Sequence, residues 1–229
     1  MPRRQGRYDE KLLQILGSGC GIFAEKGYHH ASVRDVAAAT GVSPAGLYYY
    51  FRSKEELLFL ILDHSLGSLL QQVVEASAHI SHPEDRLRAI IQSHMDFFCN
   101  HPAEMRLLVR EWDVLTGEFR RRVTRRQTRY AALVLRTLRE LRPDTPRLKL
   151  RASAMALFGM VNWMYQWYTP QGNLSLQEVG DHFSRLFLLG FLSGDDQGAG
   201  PGVDPAGKEK TTQGRAITET ESLLRGPGF

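Results

Sequence analysis

The stretch that decides the fold is residues 32–54, which read SVRDVAAATGVSPAGLYYYFRSK. Ser32 favours a helix start, because its hydroxyl can accept a hydrogen bond from a backbone N–H of the first turn. Gly41 ends that helix, since glycine takes a positive φ without a steric clash. Ser43 and Pro44 then favour a second helix start. Two short helices joined by a tight turn that contains glycine are typical of a helix-turn-helix, so this stretch predicts DNA binding.

Three helices are the smallest unit that would hold this motif rigid. We expect the first of them over Tyr8–Lys26, and the groove-binding helix of the motif over Pro44–Phe51. Residues 1–54 carry eight Lys and Arg against four Asp and Glu, although the net charge of the whole chain is only +4. The basic segment 1–7 is either a frayed terminus or an arm that contacts phosphates or the minor groove.

Several side chains of the motif suit contacts with DNA. Arg34 is either a solvated charge or a reader of a phosphate or base edge, because arginine is the commonest reader of guanine. Tyr48, Tyr49 and Tyr50 cannot all be buried, since three consecutive residues cover most of a helix circumference. At least two of the rings should be exposed, with hydroxyls near phosphates or ring faces near thymine methyl groups. Lys54 opens the next helix, where its charge opposes the helix dipole unless a phosphate lies in front of it.

The stretch from about residue 8 to residue 65 resembles the DNA-binding domain of the TetR family of transcriptional regulators, without an insertion or deletion against the family pattern. The resemblance rests on Phe23, Gly27, Ser32, Val36, Ala37, Gly41, Val42, Leu47, Tyr48, Tyr50, Phe51, Lys54, Glu55 and Leu57. It implies phosphate contacts at Ser32, Tyr49 and Lys54. It implies base-facing or groove-facing positions at Arg34, Ser43, Pro44, Ala45, Gly46 and Tyr48.

The rest of the chain predicts an all-α protein, with a helical ligand-binding and dimerisation domain over 55–193. The helix predicted over 147–167 is apolar on nearly all sides, so it must be buried by more than its own domain. Paired with the last helix, 175–192, it is expected to form a four-helix homodimer interface. The resemblance implies the same, because TetR-family proteins generally dimerise through their last two long helices. Residues 194–229 are rich in glycine and polar residues, and are expected to be a disordered tail.

Aromatic and polar side chains of the larger domain indicate a ligand site, because aromatic walls with a few polar anchors are typical of a small-molecule pocket. Most of these residues would otherwise be core. The segment 159–168, GMVNWMYQWY, resembles TetR-family regulators that respond to fatty acids or acyl-CoA thioesters. That resemblance implies an acyl chain in an aromatic pocket, with CoA phosphates near arginines. The predicted ligand residues are Phe97, Phe98, Met105, Arg106, Arg110, Trp112, Phe158, Asn162, Trp163, Gln166 and Trp167.

The helix predicted over 116–141 is the most strongly charged part of the chain, with eight arginines. Three interpretations of this charge remain open. The arginines form a solvated face, they form a second nucleic-acid surface, or one or two of them bind the phosphates of an anionic ligand.

These features predict a homodimeric repressor that a small hydrophobic inducer, such as a fatty acid or acyl-CoA, releases from a palindromic double-stranded DNA operator. The alternatives are a repressor that senses drugs or aromatic compounds, and a DNA-binding scaffold without a ligand. No catalytic constellation is recognisable, so neither an enzyme nor a cofactor is expected. His79 and His82 have the spacing of two metal ligands, but no Cys or carboxylate cluster accompanies them, so no metal is expected.

The location of the protein is also predicted. No apolar run reaches the roughly 20 residues that a membrane span needs. Cys20 and Cys99 lie far apart within apolar helical patterns, and no signal peptide precedes them. We therefore expect reduced cysteines and a cytoplasmic protein.

Overall fold

The computed structural model describes residues 2–193, which form α-helices and short 3₁₀ turns without a strand. The predicted all-α fold is confirmed. The helices are α1 (Pro2–Lys26), α2 (Val33–Thr40), α3 (Pro44–Leu47), α4 (Lys54–Ser77), α5 (Pro83–Asn100), α6 (Pro102–Arg110), α7 (Gly117–Leu141), α8 (Arg147–Trp163) and α9 (Leu176–Leu192). Met1 of the predicted arm and the predicted tail, 194–229, lie outside the described residues.

The helix-turn-helix forms as its capping residues predict. At the start of α2 the Asp35 N–H donates to Ser32 Oγ (3.2 Å), and the Ser32 N–H donates to the Asp35 carboxylate (2.7 Å), which makes a capping box. Gly41 ends α2 with a φ of 65°. Ser43 Oγ caps α3 by accepting from the N–H of Gly46 at 3.1 Å.

The second helix of the motif is shorter than predicted, because α3 ends at Leu47 and not at Phe51. The N–H groups of Tyr49 and Tyr50 donate to carbonyls three residues back, so the chain tightens into a turn. This turn directs Phe51 into the core, where it is 1% exposed, and leaves Tyr48 and Tyr49 at the surface.

Helix α1 begins at Pro2, so the predicted start at Tyr8 is wrong, and residues 2–7 of the expected arm continue the helix. Proline suits the first turn of a helix, where its missing N–H loses no partner. The buried face of α1, which includes Ile15 and Phe23, packs on α2, α4 and α6. Helix α1 therefore joins the helix-turn-helix to the larger domain.

Helix α4 lies at the centre of the fold, where it contacts α1, α5, α6 and α7 and buries ten of its residues. Within the described part of the chain it is the one helix long and apolar enough to cross a membrane, although no apolar run of that length is expected from the sequence. Half of that apolar stretch is buried inside the protein. An apolar helix that is covered by four neighbouring helices is typical of a globular core.

Two predicted helices end earlier than expected. Helix α6 stops at Arg110, and a 3₁₀ turn over Trp112–Val114 follows. Helix α8 stops at Trp163, and a 3₁₀ turn over Met164–Gln166 follows. In both places the chain leaves the helix axis, so residues expected on one continuous helical face point in different directions.

Candidate functional site

The candidate DNA-binding surface consists of exposed residues on and around α3. Tyr48 is 53% exposed and Tyr49 is 75% exposed, which confirms that at least two of the three tyrosine rings point outward. Arg34 is exposed on the first turn of α2. The other predicted groove-facing positions are exposed at Ser43, Pro44 and Ala45 and partly buried at Gly46.

Gly46 has a physical reason to lack a side chain. A Cβ at this position would lie 3.0 Å from Val42 Cγ1 and 3.2 Å from Ser43 Oγ. It would therefore disturb the hydroxyl that caps α3. Because Ala45 and Gly46 carry so little, Arg34 and the tyrosines supply most of the functional groups on this surface.

Sequence reasoning missed Tyr8 as part of this surface. Its ring stacks on Tyr50, with ring centres 5.1 Å apart, and meets Tyr49 edge-on at 5.6 Å. Together with Arg7 and Lys11, these rings line an open groove of about 520 Å³. Burial, followed by the neighbouring tyrosines, raises the pKa of Tyr8. No local pattern joins residues some forty positions apart, so only the folded chain brings Tyr8 to the turn after α3.

Ser32 is exposed, but its side chain is engaged within the protein. Its hydroxyl donates to the Asp35 carboxylate at 2.7 Å, and that carboxylate also accepts from Lys26 Nζ at 2.7 Å. The bond from Lys26, followed by those from Ser32, holds the pKa of Asp35 well below its usual range. The observed role of Ser32 is thus to cap α2, and its phosphate contact stays a prediction.

Lys54 binds backbone carbonyls of the protein, so its position at the start of α4 is explained without a phosphate, and its phosphate contact stays a prediction. Its Nζ donates to the carbonyls of Tyr28 (2.8 Å) and Ala31 (2.9 Å), and lies 4.4 Å from the centre of the Tyr28 ring. These carbonyls offset the unfavourable helix dipole at the start of α4. Lys54 therefore fastens the α1–α2 loop to α4.

We expect Lys54→Met to lower the free energy of unfolding by about 2 kcal/mol, because two carbonyls lose a charged partner. Urea denaturation measures this change. DNA affinity should change little, because the protein stays folded after a loss of this size, and the slope of log affinity against log salt should stay unchanged. Unchanged stability with a salt slope smaller by about one unit would instead assign Lys54 a phosphate contact.

The candidate ligand site is a cavity of about 20 Å³ where α4, α5, α6, α7 and α8 meet. Its walls combine apolar residues with four polar side chains that carry no formal charge. Its lining is Leu66, Leu69, His94, Met105, Leu108, Gln127, Tyr130, Phe158 and Asn162. A cavity of this size holds about one water molecule, so a larger ligand must separate the helices around it.

The polar side of the cavity is built on His94. Its Nε2 lies 3.2 Å from Asn162 Oδ1, which can only accept, so Nε2 carries the proton and Nδ1 accepts from the Tyr130 hydroxyl at 2.7 Å. Burial lowers the pKa of His94 to about 3, and burial also raises the pKa of Tyr130. Both rings are therefore uncharged near neutral pH.

The cavity takes up only part of the predicted ligand set, namely Met105, Phe158 and Asn162. Phe98 packs behind His94, with ring centres 4.7 Å apart. Phe97 and Trp112 are buried outside the lining. The remaining predicted ligand residues are exposed at the surface. They are Arg106 and Arg110 on α6, Trp163 at the end of α8, and Gln166 and Trp167 just after it.

Sequence reasoning missed His94 as the centre of the cavity and missed Gln127 and Tyr130 altogether. His94 was interleaved with apolar residues on α5, which is the only signal that pointed to it. Gln127 and Tyr130 lie on the arginine-rich helix, where charge dominates the pattern and hides the two residues that face inward.

Most arginines of α7 contact other side chains or carbonyls of the protein. This favours the interpretation of the arginines as a solvated, ion-paired face. Arg121 and Arg125 both pair with Glu118, at 2.7 and 2.8 Å. Arg120 lies over the Trp112 ring at 5.2 Å. On α6, Arg110 Nε donates to the Tyr165 hydroxyl at 3.4 Å, and Arg106 donates to a carbonyl of α1 at 3.3 Å.

An ion pair joins α7 to α4 near the cavity. Arg126 Nε donates to Asp63 Oδ1, and Arg126 Nη2 donates to Asp63 Oδ2 at 2.9 Å, which makes a bidentate pair. The hydrogen bond to Asp63 raises the pKa of Arg126. A Cβ on Gly67 would lie 3.3 Å from Arg126 Nη1, so the glycine allows the guanidinium to lie against α4.

The start of α7 also contacts the start of α4. Glu55 accepts from the N–H and the hydroxyl of Thr116, both at 2.8 Å. Phe59 and Phe119 stack with ring centres 4.6 Å apart. Because α4 begins directly after the helix-turn-helix, these contacts join α7 to the helix that follows the candidate DNA-binding surface.

Two family models match the chain. Residues 15–61 match the model described as bacterial regulatory proteins, tetR family, and residues 81–191 match the one described as Tetracyclin repressor-like, C-terminal domain. The chain belongs to the TetR family. It is therefore a DNA-binding transcriptional regulator and not an enzyme. The described residues contain no group of three or more His, Cys, Asp or Glu side chains that would hold a metal.

Solved structures of other TetR-like proteins share the fold. The complex of AibR with isovaleryl coenzyme A and operator DNA is 26% identical, with a TM-score of 0.71 over 77% of this chain and 97% of that chain. A TetR-family transcriptional regulator from Bordetella parapertussis 12822 is 29% identical, with a TM-score of 0.74 over 80% and 96% of the two chains. The regulator PfmR from Thermus thermophilus is 28% identical, with a TM-score of 0.68 over 76% and 97%.

Proposed function

We propose that this TetR-family regulator is a cytoplasmic homodimeric repressor, which an acyl-CoA or fatty acid releases from a pseudo-palindromic operator. Residues 1–54 would bind DNA, and residues 55–193 would bind the ligand and the second subunit. The observation that carries the proposal is the cavity between α4 and α7. Helix α4, which begins directly after the helix-turn-helix, forms one wall of this cavity.

The exposed faces of α8 and α9 support the homodimer. Six large apolar side chains on these helices are 40–72% exposed, at Leu148, Met155, Trp163, Leu186, Leu189 and Leu192. Leu148, Met155 and Trp163 recur at about two turns on α8, and exposed Ala152 and Ala156 lie between them, so a second helix can approach closely. A two-fold copy that covers this face would set the two α3 helices about one DNA turn apart.

The small size of the cavity supports release of DNA by the ligand. An acyl group needs far more than about 20 Å³, so its binding requires α4 to move relative to α7 and α8. If the recognition helices of the expanded state stand at the wrong spacing for DNA, a ligand that binds this state better must weaken DNA binding by the same factor. A coupling of about 1–3 kcal/mol corresponds to a change of about 5–150-fold in operator affinity.

The acyl-CoA part of the proposal has two supports. AibR, which shares the fold, is described in complex with isovaleryl coenzyme A. In this chain Asn162 lines the cavity, while nearby Tyr165 contacts the exposed Arg110. A thioester in the cavity could thus direct its CoA phosphates toward Arg110. No Asp or Glu lines this cavity, which disfavours the alternative of a sensor for cationic drugs.

The DNA-binding part is tested at the exposed surface. Arg34→Ala should reduce operator affinity by about 1–3 kcal/mol and relax the preference at one base pair, because Arg34 would read a base edge. Tyr49→Phe should weaken binding to all sequences alike, because its hydroxyl would contact a phosphate. Fluorescence anisotropy with the operator and single-base variants measures both.

Arg52→Gln is the matched control for these variants, because Arg52 is exposed but lies outside the proposed contacts. If Arg34→Ala weakens binding to all sequences equally, Arg34 contacts a phosphate instead of a base. If neither Arg34→Ala nor Tyr49→Phe changes affinity, the proposed contact surface is incorrect.

A further inference from the structure

Gln127 is a buried amide without a hydrogen-bond partner among the described residues. It is 5% exposed and lines the cavity. Its two N–H donors and its carbonyl are therefore available to whatever occupies the cavity.

The other polar groups around Gln127 leave it as the cavity amide whose carbonyl and N–H groups are all unused, whereas Asn162 uses its carbonyl on His94. His94 uses both ring nitrogens, one with Tyr130 and one with Asn162. The nearest charge along α7, Arg126, is engaged by Asp63 on the α4 side. A ligand that enters between these helices thus meets Gln127 as a polar group whose hydrogen bonds are still unmade.

No charged side chain lines the cavity to balance a charged ligand. Its titratable members are His94 on α5 and Tyr130 on α7, and both are uncharged near neutral pH. The cavity residues that α4, α6 and α8 contribute are not titratable. A carboxylate or an ammonium ion buried here would lose its hydration without gaining a counter-ion.

We infer that the cavity receives an uncharged polar group on an apolar body, such as an acyl thioester or amide, and that Gln127 binds its carbonyl oxygen. This inference rests on the proposed function and narrows it, because it excludes ionised fatty acids as ligands. Apolar atoms of the ligand would lie against Leu66, Leu108 and Phe158.

Isothermal titration calorimetry with probes of one chain length tests the ligand class. Octanoyl-CoA and octanamide are uncharged at the carbonyl, octanoate is anionic and octylamine is cationic at pH 7.5. We expect the two uncharged probes to bind, and octanoate and octylamine to bind at least about 100-fold more weakly. Since carboxylic acids have a pKa of about 4 to 5, octanoate should bind about tenfold more tightly for each pH unit between 7.5 and 5.5. Octanamide affinity should stay constant over that range.

The outcomes separate this inference from the proposed function. If octanamide binds and octanoyl-CoA does not, the inference holds and the acyl-CoA part of the proposed function fails. If octanoate binds as tightly as octanoyl-CoA at pH 7.5, acyl compounds remain ligands and the inference is overturned. If neither uncharged probe binds, the inference is overturned as well.

Variants of Gln127 test its role as the anchor. Gln127→Leu and the volume-matched Gln127→Met should keep or raise the melting temperature, because no protein hydrogen bond is lost. Both variants should bind octanamide and octanoyl-CoA at least about tenfold more weakly than the unchanged protein does. Gln72→Leu is the control, because the Gln72 amide donates to the Ser93 carbonyl at 2.9 Å: it should lower stability and leave ligand affinity unchanged. Lower stability with unchanged ligand affinity in both Gln127 variants would overturn the assignment.

Discussion

Leu189→Arg is expected to convert the protein from a dimer to a monomer and to reduce operator affinity by about 10²–10⁴-fold. Leu189 is 62% exposed on α9, within the apolar face that α8 and α9 share. A buried arginine without a partner would destabilise the interface. The loss of DNA binding follows because two linked half-site contacts become one, and the second contact then loses its effective concentration.

Analytical ultracentrifugation and fluorescence anisotropy measure the two parts of this prediction. Val74→Arg is the matched control, because Val74 is 43% exposed on α4, away from α8 and α9. It should leave the protein dimeric and bound to DNA. If Leu189→Arg stays dimeric at micromolar concentration, the dimer uses another surface.

Replacement of both members of the Asp63–Arg126 pair by leucine is expected to uncouple ligand binding from DNA release. Removing both partners avoids an unpaired, partly buried charge, so the fold should persist. Ligand should still bind, because neither residue lines the cavity. The ratio of operator affinities without and with isovaleryl-CoA should fall from about 5–150 to about 1–3, because the bidentate link between α7 and α4 is lost.

The measurement is a pair of operator titrations at fixed isovaleryl-CoA, with calorimetry of the ligand alone. Arg125→Gln is the control, because Arg125 is the preceding residue of α7 and pairs with exposed Glu118 instead. A double-leucine variant that retains the full ligand response would show that the coupling passes through other contacts, such as Phe59 and Phe119.

The helix-turn-helix was predictable because its signals are local. Ser32, Gly41 and Ser43 act within four residues of their own position, through a cap or a positive φ. The end of α3 was not predictable in this way. The chain leaves the helix after Leu47 in a turn that places Phe51 in the core, and the pattern of residues along the helix does not mark that point.

The ligand site was predicted less well, because its composition depends on tertiary packing. Trp163 and Trp167 looked like pocket walls on an apolar helix, but α8 ends at Trp163 and both rings are about half exposed or more. Gln127 and Tyr130 looked like members of a charged helix, although they face the cavity. A sequence pattern gives the spacing of residues on a helix, but it does not say which neighbouring helix covers each face.

Lys54 shows the same limit at a single residue. Its unfavourable position at a helix start was correctly recognised, but the compensating partner lay in the α1–α2 loop, 23 to 26 positions earlier. An electrostatic problem in a sequence predicts that some partner exists. The identity of that partner, carbonyl or phosphate, requires the folded chain.

The most direct test of a ligand-released regulator is a footprint of the protein on an operator selected from a random-sequence DNA library, titrated with isovaleryl-CoA and octanoyl-CoA. We predict a protected pseudo-palindrome with half-sites about one helical turn apart. We further predict that at least one of these thioesters removes the protection at a concentration that leaves the protein dimeric. Protection that persists with both thioesters, despite their measured binding to the protein, would contradict release by the ligand.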